Sequence, residues 1–212
     1  MSKEKISYEF ARFISAVMSP LVIPFYSVFI ATWISPLCLQ STGVRMKLTL
    51  VTLGLTCVTP IMFIAILQNL NVIKDKRLDE RKERFYPYIF AILCYLALTG
   101  HFAYIHQPMW LVMFAAGGAL TLLVTFIVNR FWKISAHAAG SAGLLAMLYQ
   151  MKAMDLEVID PRWMMAMILM AIIVCGLVGS ARIILGKHTL AQVLAGAANG
   201  FISVSLMMRL FG

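Results

Sequence analysis

The chain has 212 residues, 61% of them hydrophobic and only 13% Asp, Glu, Lys or Arg, with a mean hydropathy of +0.86. A soluble domain of this length needs far more polar surface, so the bilayer is the expected solvent. The net charge of +9 comes from cations in short loops between apolar runs, with no long basic tail. That pattern argues against a nucleic-acid partner and suits membrane topology or an anionic substrate.

Seven apolar runs read as membrane helices, over 13–34, 48–67, 86–105, 109–128, 137–151, 163–179 and 189–210. The first carries Pro20 and Pro24 and is expected to be kinked or re-entrant, and the fifth is short. The fold expected is therefore all-α, a polytopic membrane bundle of six or seven spans forming one domain over 1–212. The N-terminal stretch lacks the layout of a signal peptide and is expected to be retained. Cys38, Cys57, Cys94 and Cys175 show no paired spacing and read as small buried hydrophobes, with no disulfide framework or zinc site. The fifteen methionines suit tolerant packing among helices or against a lipid chain. Small residues at 138–143 and in Gly196-Ala-Ala-Asn-Gly200 let helix backbones approach closely, within one chain or between copies in a homo-oligomer.

Span parity orders the polar loops. From loop 69–84 one span leaves and the next returns at 129–137; another pair returns at 180–188, so three polar segments meet at one membrane face. Of the 18 Lys and Arg, thirteen fall on that face and five on the other. The positive-inside rule places such a face in the cytoplasm. Setting aside Arg77, Lys82, Arg84, Lys133 and Arg182 as substrate-binding cations leaves eight against five, so charge alone supports the orientation weakly.

The histidines divide between the faces. His101 and His106 flank a Gly100–Pro108 turn and read as interfacial, whereas His137 and His188 each begin a helix beside cations on the shared face. In the stretch 179–192 Arg182 offers a planar fork to phosphate oxygens, and His188 meets the positive end of the next helix. In Lys133-Ile-Ser-Ala-His137, Ser135 is placed to be an N-cap or to bind a phosphate oxygen, with His137 as a general acid. The run 76–87 alternates charges and is either a solvated loop or a further set of phosphate-neutralising cations.

The three stretches resemble, in order and spacing, the K-x6-R-P, P-S-G-H and S-R-x5-H-x3-D motifs of the type 2 phosphatidic acid phosphatase superfamily, membrane phosphatases of lipid phosphates and polyprenyl diphosphates. Arg182 and His188 keep the spacing of the third motif, Ser135 and His137 that of the second, and Arg77 and Arg84 stand at the cations of the first. Proline arrives late at Pro87, Ile134 and Ala136 replace the second motif's proline and glycine, and Ala181 replaces serine with Ser180 one residue early. The resemblance covers roughly 77–200. It implies a cofactor-free, metal-independent lipid phosphatase of the inner (cytoplasmic) membrane of a bacterial-type cell. In that scheme His188 attacks phosphorus, His137 protonates the leaving oxygen, and Arg77, Arg84 and Arg182 clamp the equatorial oxygens. Lys133 is an additional cation particular to this sequence.

Gln192 stands where the family has the aspartate that orients the nucleophilic histidine. An amide oxygen still fixes the imidazole tautomer but stabilises the cation less; in a serine-protease triad, losing the carboxylate costs about four orders of magnitude in rate. A slower enzyme, a compensating acid such as Asp79 or Glu83, and a non-catalytic anionic-lipid-binding or transport relative all fit that change. Asp75-x3-Asp79 also resembles the magnesium-diphosphate motif of intramembrane prenyltransferases, but those need a second aspartate cluster, which this sequence lacks.

Overall fold

A computed structural model describes residues 3–73 and 85–211, residues 3 and 4 by their backbone alone. Asp75, Arg77, Asp79, Lys82, Glu83 and Arg84 lie outside the described residues. Within them the chain forms α1 (Lys3–Val17), α2 (Ile23–Ile34), α3 (Thr42–Leu53), α4 (Thr59–Asn69), α5 (Phe85–Tyr104), α6 (Met109–Asn129), α7 (Ala136–Ala153), α8 (Pro161–Ile184) and α9 (Leu190–Phe211). All are helical, which satisfies each backbone donor within its own segment where no water can do so. Five helices are long and apolar enough to cross a bilayer: Thr42–Asn69, Phe85–Tyr104, Met109–Asn129, Pro161–Ile184 and Leu190–Phe211. They match five of the seven predicted runs, with ends moved by six residues at most.

The two remaining runs differ instructively. The predicted 13–34 span is broken: α1 stops at Val17, and α2 is only 12 residues. At 1.5 Å per residue α2 covers about 18 Å, short of the ~30 Å hydrocarbon layer. Pro20 and Pro24 withhold two N–H donors, so the chain between the helices closes on side chains instead. Ser19 Oγ accepts from the Leu21 N–H (3.4 Å), Tyr26 donates to Val17 O (3.2 Å), and Thr56 Oγ1 donates to Leu21 O (3.2 Å). The fifth run is the helix α7, whose buried face is mostly Ala, Gly, Ser, Leu and Met. It is less apolar than its neighbours because α2, α6, α8 and α9 all pack against it, and protein rather than lipid is its solvent.

Proline also shapes the second predicted run. Pro60 cannot donate back into the helix, and the backbone between α3 and α4 opens into a π-turn over Gly54–Val58, with Thr59 donating its hydroxyl to Gly54 O (2.7 Å). Arg45, one of the charges before that run, lies inside α3 and stacks over Trp33 at 4.5 Å.

The tightest helix pair is α7 with α9. A methyl at Gly196 would overlap the carbonyl of Ser135, and one at Gly200 would meet the Ala139 Cα at 2.8 Å. Both small-residue stretches of the sequence are thus used within one chain: Gly140 faces Ile23 and Pro20, and Gly143 faces Val204. Deeper along the pair, Asn199 donates to Thr121 O and Thr125 Oγ1 (both 3.0 Å) and accepts from Ser203 (3.1 Å), tying α9 to α6. The solid core fills the far end, where Phe102, Met147, Met151, Met164 and Met208 are fully buried. The methionines there are packing residues. The end of α7 bearing Ala136 is less filled and holds a cavity.

Gly200→Ala is expected to lower the thermal unfolding temperature in detergent by an amount matching about 1–3 kcal/mol or more, since backbone must shift to admit the methyl. Gly176→Ala, with nothing within 4 Å of the added carbon, is the control and should leave it unchanged.

Candidate functional site

The turn between α8 and α9 explains the Arg182–His188 spacing. Leu185 N–H bonds Ala181 O (3.0 Å) and Gly186 N–H bonds Ile183 O (2.9 Å), closing the last turn of α8. Gly186 then takes a left-handed φ of +63°, which residues with a Cβ adopt only at a cost. The chain folds back so that the N–H groups of Lys187 and His188 both bond Arg182 O, at 3.0 and 3.3 Å. Five intervening residues are what this reversal needs, and the histidine returns beside the arginine that preceded it.

Past the turn, Thr189 and Gln192 form a reciprocal capping box: Gln192 N–H donates to Thr189 Oγ1 (3.4 Å) and Thr189 N–H donates to Gln192 Oε1 (3.2 Å). The same amide oxygen lies 3.2 Å from His188 Nδ1. A backbone N–H only donates, so the atom that it meets is the oxygen; an oxygen only accepts, so Nδ1 carries the proton. Nδ1 is therefore the donor in that bond, and in the neutral form of the ring the lone pair belongs to Nε2. Gln192 performs the tautomer-fixing part of a carboxylate's work here while also starting α9. His188 is 8% exposed.

His137 opens α7 directly behind the cap. Ser135 Oγ accepts from Ala138 N–H (3.3 Å), and Ser135 N–H donates to Gln192 O (3.1 Å). Ser135 is fully buried and does not line the cavity, so the N-cap is the role that the fold gives it. His137 Nε2 lies 3.2 Å from the Ser15 carbonyl oxygen, which again only accepts, so Nε2 is the protonated nitrogen of that ring. Ser15 also receives Arg182 Nη1 on its hydroxyl at 2.7 Å. The end of α1 thus joins His137 to Arg182.

These side chains share one space. A cavity of about 270 Å³ is lined by His137, Arg182 and His188 at its polar end and by Pro20, Leu21, Pro60, Ile64, Pro87, Tyr88, Ala91, Tyr95 and Leu122 along apolar walls. The residues come from α4, α5, α6, the start of α7, the end of α8 and the α8–α9 turn, together with the α1–α2 break. Lys133, in the loop before α7, does not line it. Arg77 and Arg84 lie outside the described residues. Sequence reasoning missed Ser15, whose place beside the site depends on α1 folding back along α8, a contact between residues 167 positions apart. It also missed Tyr88 and Tyr95, although their i, i+7 spacing on α5 puts them on one helix face. Among the described residues no three His, Cys, Asp or Glu side chains gather as a metal site.

Gly186→Ala should cost about 1–2 kcal/mol of stability, because the left-handed turn has no substitute in so short a reversal. The checks are the thermal unfolding temperature and the chemical shifts of the His188 ring, which should both move. No family model, curated protein or solved structure matches this chain, which leaves the cavity's own geometry and motifs as the basis for its function.

Proposed function

We propose that the protein is a metal-independent lipid phosphatase, hydrolysing a phosphomonoester or diphosphate of the phosphatidate, phosphatidylglycerol phosphate, polyprenyl diphosphate or lipid A class. The observation that carries this reading is the pair of histidines in one cavity, His188 held through Nδ1 by Gln192 and His137 held through Nε2 by the Ser15 carbonyl, beside Arg182. The order and spacing of the motifs, which resemble those of the type 2 phosphatidic acid phosphatases, support it further. So do the apolar walls below the polar end, which suit the tail of a lipid whose head is anionic. Six crossings follow if α7 is added to the five apolar helices, with the site at one membrane face, in the inner (cytoplasmic) membrane of a bacterial-type cell.

The chemistry divides into two displacements. His188 Nε2 attacks phosphorus and the bond to the lipid oxygen breaks, while His137, entering as the imidazolium, releases Ser15 O and delivers its Nε2 proton to that oxygen, giving a phosphohistidine, a lipid alcohol and neutral His137. Water then attacks the phosphohistidine, giving its proton to the now-neutral His137, and inorganic phosphate leaves. Arg182 exchanges its bond to Ser15 for one to phosphate and stabilises the equatorial oxygens, joined by Arg77 and Arg84 from the preceding loop. Gln192 holds the His188 ring but adds no negative charge to offset the phosphohistidine cation. That favours a slower enzyme than one with aspartate there. A non-catalytic carrier of anionic lipid is the second reading, favoured by the same neutral partner and by the Ser15 clasp already on Arg182.

Purified protein should release phosphate from at least one member of a panel of phosphatidic acid, phosphatidylglycerol phosphate, undecaprenyl diphosphate and lipid A, undiminished by EDTA, with release lost in His188→Ala. Equal release by the variant would refute the mechanism, and binding without turnover would select the carrier. Gln192→Asp should raise turnover, up to about four orders of magnitude if orientation is retained and only the charge was missing. A rate unchanged or lower in that variant would mean that the carboxylate is not what limits this site.

A further inference from the structure

The cavity has a floor, and a second space beside it reaches lower. α5 starts at the face of the site, so Pro87, Tyr88, Ala91 and Tyr95 line the cavity at increasing depth, and Tyr95 stands about 15 Å below the helix start. Gly118 lies about 16 Å back from the end of α6 at the same face, level with Tyr95. The two meet in the closest way: a Cβ on Gly118 would sit 2.6 Å from Tyr95 Cδ1 and 3.3 Å from its Cζ. Only a glycine there lets the ring lie flat across the gap between α5 and α6. Beside the ring a smaller cavity of about 50 Å³ runs from Ala136 and Thr125, near the site face, past Gly118 to Phe114 and Val204, which lie lower than Tyr95. The two spaces share Pro20, Tyr95, Leu122 and Ala136 as a common wall. The hydroxyls of the lower space, on Ser27, Thr121 and Thr125, all donate to carbonyls in their own helices (2.7–2.9 Å), so it presents an apolar lining.

We infer that Tyr95, seated on Gly118, is the chain-length determinant of the site: the upper cavity admits an alkyl or prenyl chain about as far as the middle of the bilayer, and the ring stops it there. This rests on the lipid phosphate reading and names the part of the substrate that the apolar walls select. Methylenes that leave water for the lining of the upper cavity are each worth about a four-fold gain in affinity. Methylenes beyond the ring have no place in the cavity and add nothing. Removing the ring joins the two spaces and moves the stop downwards, whereas a methyl on Gly118 drives the ring into the upper cavity and moves the stop upwards. Tyr95 touches the tail and not the phosphate, so it is a specificity residue.

The test uses saturated alkyl phosphonates, from hexyl to hexadecyl, which present the anionic head but cannot be hydrolysed. Their binding to purified wild type, Tyr95→Ala, Tyr95→Phe and Gly118→Ala is measured by calorimetry in one detergent, so partition into micelles cancels in the ratio of affinities at each length. For Tyr95→Ala over wild type the ratio should be near one for short chains and climb about four-fold per methylene once the chain passes the ring. Tyr95→Phe should follow the wild type, and Gly118→Ala should reach its plateau at a shorter chain. A ratio constant at every length for Tyr95→Ala, or a wild-type plateau retained in Gly118→Ala, overturns the inference while leaving the phosphatase reading intact. Failure of the wild type to bind any phosphonate overturns the lipid phosphate reading, and the length determinant with it.

Discussion

The backbone contact between α7 and α9 is what the rest of the site depends on. Gly196 and Gly200 bring α9 against the carbonyls of Ser135 and Ala139 with no side chain between, and Ser135 N–H reaches across to Gln192 O. His137 is two residues past Ser135, and His188 is four before Gln192. Both histidines are therefore placed by the same contact, through segments too short to drift. In lipid, where apolar side chains gain little by leaving one hydrocarbon for another, close packing of small residues is what holds helices together. Here that packing also sets the register between His137 and His188.

The polar cavity brings irregular backbone to membrane depth, and its carbonyls need donors. Three around the α1–α2 break meet side chains: Val17 O meets Tyr26, Leu21 O meets Thr56, and Ser15 O meets His137. Non-helical chain survives inside a bilayer only where protein or a cavity covers it, and this segment has both. Three prolines, Pro20, Pro60 and Pro87, line the cavity at or near helix starts, where a missing N–H does least harm and a helix most readily turns aside. The cavity thus arises from helices that begin late or bend, while the far end is filled with Phe102 and methionines.

Gln192 shows how one side chain can meet two demands. As the last member of a capping box it satisfies the N–H of Thr189, and as an acceptor for His188 Nδ1 it sets the tautomer. An amide serves both geometries well because each requires only a lone pair. Charge is a separate matter. A site that must stabilise an imidazolium-like intermediate gains from a carboxylate, while one that only binds an anion does not, and a neutral partner lies between these two uses.

Apolar runs of bilayer length were readable from composition, and so were the Arg182, His188 and His137 spacings. All of these depend on local chemistry: hydropathy over about twenty residues, or the few residues of one turn. The break at 18–22 and the burial of α7 were settled by neighbours. A run with two prolines can bend or stop, and an alanine-rich helix can face lipid or protein, until the partners that supply donors or cover are known. Ser15 at Arg182, Tyr95 on Gly118 and Gln192 as both cap and histidine partner belong to the tertiary structure alone. Hydrogen bonds and ring contacts act over a few ångströms in space, and no periodicity in the chain encodes which distant residues will come that close.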